Sequence, residues 1–274
     1  MCVTCGCSDD ANVTVTNPQT GEHTHVLADG TVISHSHHHE NHEHPHNHSV
    51  ASETAQLHAK MHGTTVTLEQ NILAKNDLLA AQNRGWFKGR NILALNLVSS
   101  PGSGKTTLLA RTIQDLKDKV VINVIEGDQA TTNDADRIKA TGCNVIQINT
   151  GAGCHLDAQM VERGLQELNP PLNSIVMIEN VGNLVCPALF DLGESAKVAI
   201  LSVTEGEDKP IKYPYMFRAS QVMIINKIDL LPYVQFNVDR CIEYAHQVNP
   251  HLKIFQVSAT TGKGLDAWYQ WLGV

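Results

Sequence analysis

The stretch Ser99–Thr107 constrains the fold of this chain more than any other feature. It reads Ser-Ser-Pro-Gly-Ser-Gly-Lys-Thr-Thr and stands between an apolar, strand-like segment, 91–98, and a segment of helical spacing, 108–116. In a glycine-rich turn that joins a buried strand to a helix, backbone N–H groups and the helix dipole converge on phosphate oxygens. The sequence therefore predicts a phosphate-binding loop.

Each residue type in this loop has a definable task. Gly102 and Gly104 let the backbone approach a ligand closely, although Ser99 stands where the general pattern has glycine. Lys105 is expected to reach the β and γ phosphates as a point charge, and the Thr106 hydroxyl to ligate Mg²⁺. The predicted phosphate-loop contacts are Gly102, Ser103, Gly104, Lys105, Thr106 and Thr107.

Composition narrows the possible partners. The chain has 274 residues and a formal charge of -8, and no basic stripe is interleaved with aromatic residues, so nucleic acid is not an expected partner. No apolar run reaches the roughly 18 residues of a membrane span, and the first residues lack the pattern of a secretory signal. We therefore expect a cytoplasmic protein with no membrane segment, in which cysteines serve metal or redox chemistry.

Strand-like runs alternate with helical ones after the loop. This alternation predicts an α/β fold, a P-loop NTPase with a mostly parallel, doubly wound sheet and helices on both faces. Ligands in such a fold lie at the carboxyl ends of the strands. The predicted strands after the loop are 120–125, 144–148, 174–178, 198–203, 222–225 and 253–257.

Two motifs that follow predicted strands indicate guanine recognition. Asn226-Lys227-Ile228-Asp229 matches the N-K-x-D signal, in which the aspartate accepts hydrogen bonds from two N–H groups that adenine does not offer. The Lys227 stem would cover the base or the loop. Ser258-Ala259 resembles a loop whose backbone contacts the guanine O6 atom. Three motifs in the expected order predict specificity for GTP.

Two acidic residues follow strands on the other side of the sheet. Asp128, in Glu126-Gly127-Asp128, is expected to hold Mg²⁺ with Thr106, or to position the attacking water. Glu179 is expected to support the metal shell. With Lys105 and Thr106, these acids form the predicted catalytic set. Both acids could instead cap helices, because acidic residues favour helix starts.

The first eight residues carry a cysteine cluster. Cys2, Cys5 and Cys7 follow C-x-x-C-x-C spacing, which lets one short loop and the amino terminus wrap a thiophilic ion. Such a site suits Ni²⁺ in a planar arrangement or Zn²⁺ in a tetrahedral one. Three unbound thiols at a frayed end are the alternative.

Residues 9–62 are poor in large apolar residues and are predicted to be a disordered, histidine-rich linker. A flexible array of imidazoles binds Ni, Cu or Zn weakly, which favours metal storage. An expression tag is the alternative, although the interruptions by glutamate and proline do not resemble one. The histidines of the tract are His35, His37, His38, His39, His42, His44, His46 and His48.

The third predicted unit, 63–274, is the nucleotide-binding domain with a leading helix over 67–84. Thr67-Leu68-Glu69-Gln70 fits a capping box, and the glycines of 85–89 predict a turn into the first core strand. The helix is predicted to pack through an apolar face that comprises Leu68, Ile72, Leu73 and Leu79.

Cys154, His155 and Cys186 are the candidate ligands of a second metal site. Cys154 is predicted to open a helix beginning near His155, where the dipole lowers the pKa of a thiol. Cys186 lies four residues beyond Gly182, in the segment expected to sense the γ phosphate. A two-fold dimer could supply four sulfurs to one ion. Two of the three could be core residues instead, as is predicted for the two remaining cysteines, Cys143 and Cys241.

In combination, these motifs resemble the HypB-type nickel-incorporation GTPases of hydrogenase maturation, over nearly the whole chain. The resemblance rests on the cysteine cluster, the histidine tract, 98–106, 126–128, 153–155, Glu179-Asn180-Val181-Gly182-Asn183-Leu184-Val185-Cys186-Pro187, 208–210 and 212–214.

The resemblance implies a GTPase, of the type that dimerises on binding nucleotide, that couples hydrolysis to nickel delivery into the [NiFe]-hydrogenase large subunit. It also implies Mg²⁺, Ni²⁺ and Zn²⁺ as metals, and a HypA-type zinc protein as partner. A urease-type nickel GTPase is a related alternative, although that family lacks the cysteine cluster. A P-loop small-molecule kinase and a nickel storage protein with vestigial GTPase activity are the others.

Overall fold

The computed structural model describes residues 70–128, 133–151 and 153–274, and the backbone of three strands before them. The chain divides into two units, Met1–Asn71 and Ile72–Val274. In the first unit, β1 (Val15–Thr16), β2 (Glu22–Val26) and β3 (Val32–Ser36) form an antiparallel sheet in that order.

These strands fall inside the segment 9–62 that was predicted to be a disordered linker, and the rest of that segment lies outside the described residues. Their sequences are rich in Val, Thr and Ile, which favour strands. Asp29-Gly30, between β2 and β3, is a typical hairpin turn signal.

The second unit contains a seven-stranded sheet, in which every neighbouring pair of strands is parallel. The order is β10-β9-β8-β4-β7-β5-β6, which places the strand before the phosphate loop at the centre. The strands are β4 (Leu93–Ser99), β5 (Ile122–Asp128), β6 (Asn144–Asn149), β7 (Ile175–Glu179), β8 (Ala196–Ser202), β9 (Val222–Asn226) and β10 (Lys253–Gln256). The predicted parallel α/β sheet is confirmed.

Helices cover both faces of this sheet. One face packs on α2, α3 and α8, and the other on α1, α4, α6 and α7. The helices are α1 (70–89 in its described part), α2 (Lys105–Leu116), α3 (Asn133–Lys139), α4 (Ala158–Leu168), α5 (Lys209–Lys212), α6 (Pro214–Ala219), α7 (Val238–Val248) and α8 (Leu265–Trp271). Cys241 is buried on α7, and Cys143 packs half-buried at the edge of the core.

The first helix differs from the prediction in two ways. It continues through 85–89, where a turn was predicted, because Phe87 extends its buried face into the core. Its packing face consists of Asn76, Ala80, Asn83 and Phe87, whereas Ile72 is 41% exposed. The capping-box residues 67–69 lie outside the described residues. Leu73 and Leu79 of the predicted face are half-buried, and the buried face also includes two asparagines, which an apolar pattern does not reveal.

Nδ2 of Asn83 donates to the carbonyls of Ala158 and Leu192, and Asn76 bonds to Ala158 N and Asp191 O. The first helix therefore holds the start of α4 and the loop before β8. Within the described residues, no helix has the length and apolar character needed to cross a bilayer.

Candidate nucleotide and metal sites

A cavity of about 540 Å³ opens at the carboxyl ends of the central strands. It is formed by the loop after β4 and by the ends of β5 and β7, as the rule for parallel sheets predicts. Its lining includes residues 99–107, Glu126, Gly127, Asp128, Asp134, Arg137, Glu179, Asn180, Val181, Gly182 and Lys227. The predicted phosphate-loop residues therefore face the same space as the predicted acids.

The base-reading motif is bonded directly to the phosphate loop. Nδ2 of Asn226 donates to the Ser103 carbonyl at 3.0 Å, and its Oδ1 accepts from the N–H of Ala259 at 3.2 Å. Nζ of Lys227 donates to the Gly102 carbonyl at 2.7 Å. One asparagine thus joins all three segments that were predicted to contact a nucleotide.

The remaining two base-reading residues lie beside this junction. Asp229 is half-buried in a 3-10 turn after β9, so its carboxylate is accessible to a base. Ser258 is fully buried, and its Oγ accepts from the N–H of Thr261 at 3.1 Å. This bond shapes the turn that presents the backbone of Ala259. The segments that follow β9 and β10 therefore carry an acidic acceptor and a backbone donor, joined to the phosphate loop through Asn226.

Glu179 lies at the end of β7 and contacts the phosphate loop. Its Oε1 accepts from the Thr106 hydroxyl at 2.6 Å and lies 3.1 Å from Nζ of Lys105. The Glu179 side chain is 1% exposed and that of Lys105 11%, and this limited solvent contact strengthens the interaction relative to a surface pair. Gly182 follows three residues later, and a Cβ atom there would lie 3.1 Å from Pro101 of the loop. The segment after β7 is therefore in contact with the phosphate loop.

Glu126 is a site residue that the sequence reasoning did not single out. It pairs in register with Glu179 on the neighbouring strand and is 2% exposed. Burial, together with the nearby carboxylates of Glu179, Asp128 and Asp134, raises the pKa of Glu126 to about 8. The sequence signal for Glu126 was its spacing from Asp128, because side chains two residues apart at a strand end lie on the same face of the sheet.

This acidic cluster fits a hard divalent cation. Oε2 of Glu126 and Oε2 of Glu179 are buried and have no hydrogen-bond partner among the described residues. The half-buried Asp128 and the Thr106 hydroxyl supply further oxygen donors beside the cavity. Carboxylate and hydroxyl oxygens are ligands that Mg²⁺ accepts. The donor set is therefore chemically suited to Mg²⁺.

The three candidate ligands in the second unit lie together. The ligand atoms of Cys154, His155 and Cys186 are all within 4.8 Å of one another. The two sulfur atoms are 2.8 Å apart, and the Cys154 sulfur is 3.6 Å from Nδ1 of His155. Burial lowers the pKa of His155, which favours the neutral imidazole that binds metals. Two sulfurs and one imidazole nitrogen suit Ni²⁺ or Zn²⁺.

One predicted feature of this cluster is wrong. Cys154 does not open a helix, because α4 begins at Ala158 and its N-cap is Asp157. The Asp157 side chain accepts from the N–H of Met160 at 2.7 Å and so caps the helix. This cap sets the helix start at Ala158 and not near His155, where it was predicted. Cys154 instead lies in a loop, where Nδ2 of Asn183 donates to its carbonyl at 3.3 Å.

The amino-terminal candidates lie outside what the structure describes. This applies to Cys2, Cys5 and Cys7 and to the histidines of the tract, except for the backbone of His35 in β3. Their predicted roles stay predictions.

The loop between β4 and α2, the strand-end acids and the base-reading motif define a P-loop nucleotide-binding domain. Residues 93–256 match the family described as CobW/HypB/UreG, nucleotide-binding domain.

Named relatives narrow this class. The hydrogenase maturation factor HypB of Rhizobium leguminosarum bv. viciae is 60% identical over 209 residues, 76% of this chain and 70% of that protein. The factor of the same name from Cupriavidus necator is 46% identical over 99% of this chain and 88% of its own length. A crystal structure of HypB from Helicobacter pylori in complex with nickel matches with a TM-score of 0.68 at 39% identity, covering 72% of this chain and 93% of that one. The chain belongs to the HypB family of hydrogenase maturation factors.

Proposed function

We propose that the protein is a GTP-hydrolysing nickel metallochaperone that delivers nickel to the large subunit of a [NiFe]-hydrogenase. The observation that carries this proposal is the cluster of Cys154, His155 and Cys186, whose third member lies seven residues after Glu179. Glu179 in turn contacts Thr106 and Lys105 of the phosphate loop. Nucleotide and metal chemistry therefore meet on one short segment.

The nucleotide side of the proposal is GTP binding and hydrolysis. Asp229 would accept from the guanine N–H groups, and the backbone of Ala259, held by Asn226 and Ser258, would face O6. Lys105 would neutralise the phosphate charge, Asp128 would hold Mg²⁺ or orient the attacking water, and Glu179 would support the metal shell. Mg²⁺ held by Thr106 and Asp128 would stabilise negative charge on the phosphate oxygens when bound.

The metal side is a nickel site made of the second cluster. The crystal structure of the H. pylori relative is a complex with nickel, which supports nickel as the metal. We also propose that Cys2, Cys5 and Cys7 form a nickel site at the amino terminus, that the histidine tract stores metal weakly, and that Zn²⁺ competes for the thiol sites. Nickel is the cargo, so each of these sites must release it as well as bind it.

We propose a cytoplasmic homodimer that forms on GTP binding and works beside a HypA-type zinc protein. The relatives are named hydrogenase maturation factors, and this supports the hydrogenase large subunit as the recipient of the nickel. A second candidate function is nickel delivery to urease in addition to hydrogenase. A relative from H. pylori that is 38% identical is named a hydrogenase/urease maturation factor, and this name supports the second candidate.

The proposal is tested with the full chain carrying alanine at Cys2, Cys5 and Cys7, so that thiolate-to-nickel absorption reports only on the second cluster. We expect Ni²⁺ to produce this absorption band, the Cys186→Ala variant to lose it, and Cys143→Ala, a matched cysteine outside the cluster, to retain it. Phosphate release from GTP, and not from ATP, is expected in parallel. A parent protein with neither the band nor GTP turnover would refute the function.

A further inference from the structure

A buried polar network lies beneath the metal cluster. It consists of Asn96, Asn180, Glu194 and Lys197. Asn96 on β4 and Lys197 on β8 are directly paired in register on one face of the sheet. Asn96 is 0% exposed, Asn180 1% and Lys197 5%. The same face carries apolar residues at the neighbouring positions, so four polar side chains in contact require an explanation.

Lys197 holds the segment that follows Cys186. Its Nζ donates to the carbonyl of Pro187 at 2.6 Å and to the carbonyl of Phe190 at 3.1 Å. The Phe190 ring lies 3.9 Å from the ring of His155, measured between centroids. One ammonium group therefore holds the backbone of the residue after Cys186 and the backbone of the residue whose ring packs against His155.

Asn180 holds the other half of the cluster. Its Oδ1 accepts from the N–H of Leu156 at 3.1 Å and from the N–H of Val181 at 3.0 Å. Leu156 is the residue after His155, and Asn180 is the residue after Glu179. Hence one amide joins the loop that carries Cys154 and His155 to the strand end that contacts the phosphate loop.

Asn96 and Glu194 connect these two halves. Nδ2 of Asn180 donates to Oδ1 of Asn96 at 3.2 Å, and Nδ2 of Asn96 donates to Oε1 of Glu194 at 3.2 Å. Oε1 of Glu194 lies 3.7 Å from Nζ of Lys197. The bonds form a continuous path from the residue beside Glu179 to the carbonyl beside Cys186.

The buried charge argues for positioning rather than for stability. Burial lowers the pKa of Lys197, and an apolar residue of similar volume would avoid the desolvation cost. What an apolar residue could not do is donate to two loop carbonyls at once. Fixing ligand-bearing segments through partners of this kind is how metal sites keep their ligands oriented.

We propose that Asn96, Asn180, Glu194 and Lys197 form a positioning network that keeps both halves of the cluster in register and links them to Glu179. This inference rests on the proposed function, since it assigns the network to the nickel site. Its members lie behind the ligands, so they act through Pro187, Phe190 and Leu156. The network is therefore a side-chain connection between the nucleotide cavity and the metal cluster, in addition to the chain segment from Glu179 to Cys186.

The test uses Lys197→Met in the full chain with alanine at the three amino-terminal cysteines. We expect roughly 10- to 100-fold weaker Ni²⁺ binding by the thiolate band, in line with the loss of other residues that orient metal ligands. Affinity for a fluorescent GDP analogue should change less than twofold, because Lys197 does not line the cavity. Lys197→Arg should restore part of the nickel affinity, because it keeps donors for the two carbonyls.

Thr112→Val is the matched control. It removes the buried hydrogen bond from Nε1 of Trp268 to Oγ1 of Thr112, on the opposite face of the sheet. Nickel affinity unchanged in Lys197→Met, or reduced equally in Thr112→Val, would overturn the network. If Lys197→Met does not fold, Asn96→Ala replaces it, with the same expected loss of nickel affinity and the same control. Absence of both the nickel band and GTP turnover in the parent would overturn the proposed function together with the network, whereas a parent that binds nickel while Lys197→Met binds it equally well would overturn the network alone.

Discussion

Nδ2 of Asn226 donates a hydrogen bond to the carbonyl of Ser103 at 3.0 Å, although the two residues are 123 positions apart. The same side chain accepts from the N–H of Ala259. A residue known from sequence patterns as part of a base-reading motif therefore also braces the phosphate loop. The nucleotide site is one connected structure, and a substitution in any of its three segments will be felt in the others.

The contact explains why Gly104 must be glycine. Its φ is +91°, and a Cβ atom there would lie 2.6 Å from Nδ2 of Asn226. Gly102 also has a positive φ, +76°, but an added Cβ would meet no atom within 4 Å. We expect Gly102→Ala to lower the free energy of unfolding by about 1–2 kcal/mol through backbone strain alone. Gly104→Ala should cost about 1–3 kcal/mol more through overpacking. Urea denaturation without nucleotide measures both, and equal costs would contradict the contact.

The half-buried Asp229 supports a prediction about base specificity. We expect Asp229→Asn to weaken GDP binding roughly 100-fold or more, because the amide N–H₂ group would face guanine donors instead of accepting from them. Xanthosine diphosphate presents a carbonyl oxygen where guanine has its amino group, so it should bind the variant better than GDP. Competition against a fluorescent nucleotide measures both affinities. Unchanged preference for GDP in the variant would place the base elsewhere.

The raised pKa of Glu126, about 8, predicts how stability depends on pH. The folded state holds this proton more tightly than the unfolded state, in which the ordinary value is 4.5. Unfolding therefore releases the proton between about pH 4.5 and 8, and stability falls as pH rises through this range. The stabilisation from the bound proton is fully present below pH 4.5 and lost above the folded pKa.

Glu126→Gln removes this titration. The unfolding free energy of the parent should fall relative to that of the variant as the pH is raised from 5 to 8. We expect this relative change to reach about 2–4 kcal/mol, at about 1.4 kcal/mol per pKa unit. Urea denaturation without nucleotide or divalent cations provides the measurement. Glu167→Gln, at an exposed position of α4, serves as the control and should show no such trend. A parallel pH dependence of Glu126→Gln and parent would show that Glu126 is ionised throughout.

The first helix provides a stability test away from the nucleotide. Asn83→Ala removes two buried hydrogen bonds, to Ala158 and Leu192, and should cost about 2 kcal/mol or more. Gln247→Ala removes an exposed side-chain hydrogen bond to Glu243 and should cost less than about 0.5 kcal/mol. Chemical denaturation of both variants checks the difference. Similar costs would show that the first helix is not held by its asparagines.

Local patterns predicted much of this molecule. The strand, glycine-rich turn and helix around Lys105 lie where hydrophobic periodicity placed them, because each is determined by adjacent residues. Cys154 and Cys186 were grouped because Cys154 was assigned to a helix start and Cys186 to the segment after Gly182, and the fold brings their sulfurs together. Strand order enters the prediction only through the rule that ligands collect at one edge of a parallel sheet.

Long-range polar contacts were not predictable from those patterns. Asn76 and Asn83 look like surface residues of a helix, yet they are buried because loop carbonyls from distant segments need donors. Lys197 lies in an apolar strand, and it too is buried because it donates to loop carbonyls, those of Pro187 and Phe190. Glu126 was passed over because its closest like charge, Glu179, is adjacent in the sheet and not in the sequence.

The central claim is that the nucleotide state governs the metal cluster. It is tested most directly by Ni²⁺ affinity in the full chain with alanine at Cys2, Cys5 and Cys7, loaded with GDP or with a non-hydrolysable GTP analogue. We expect at least about a tenfold difference between the two states, a coupling of about 1.4 kcal/mol, and its loss in Cys186→Ala but not in Cys143→Ala. Equal nickel affinities in the two nucleotide states of the parent, or an equal nucleotide effect in Cys186→Ala, would contradict the coupling.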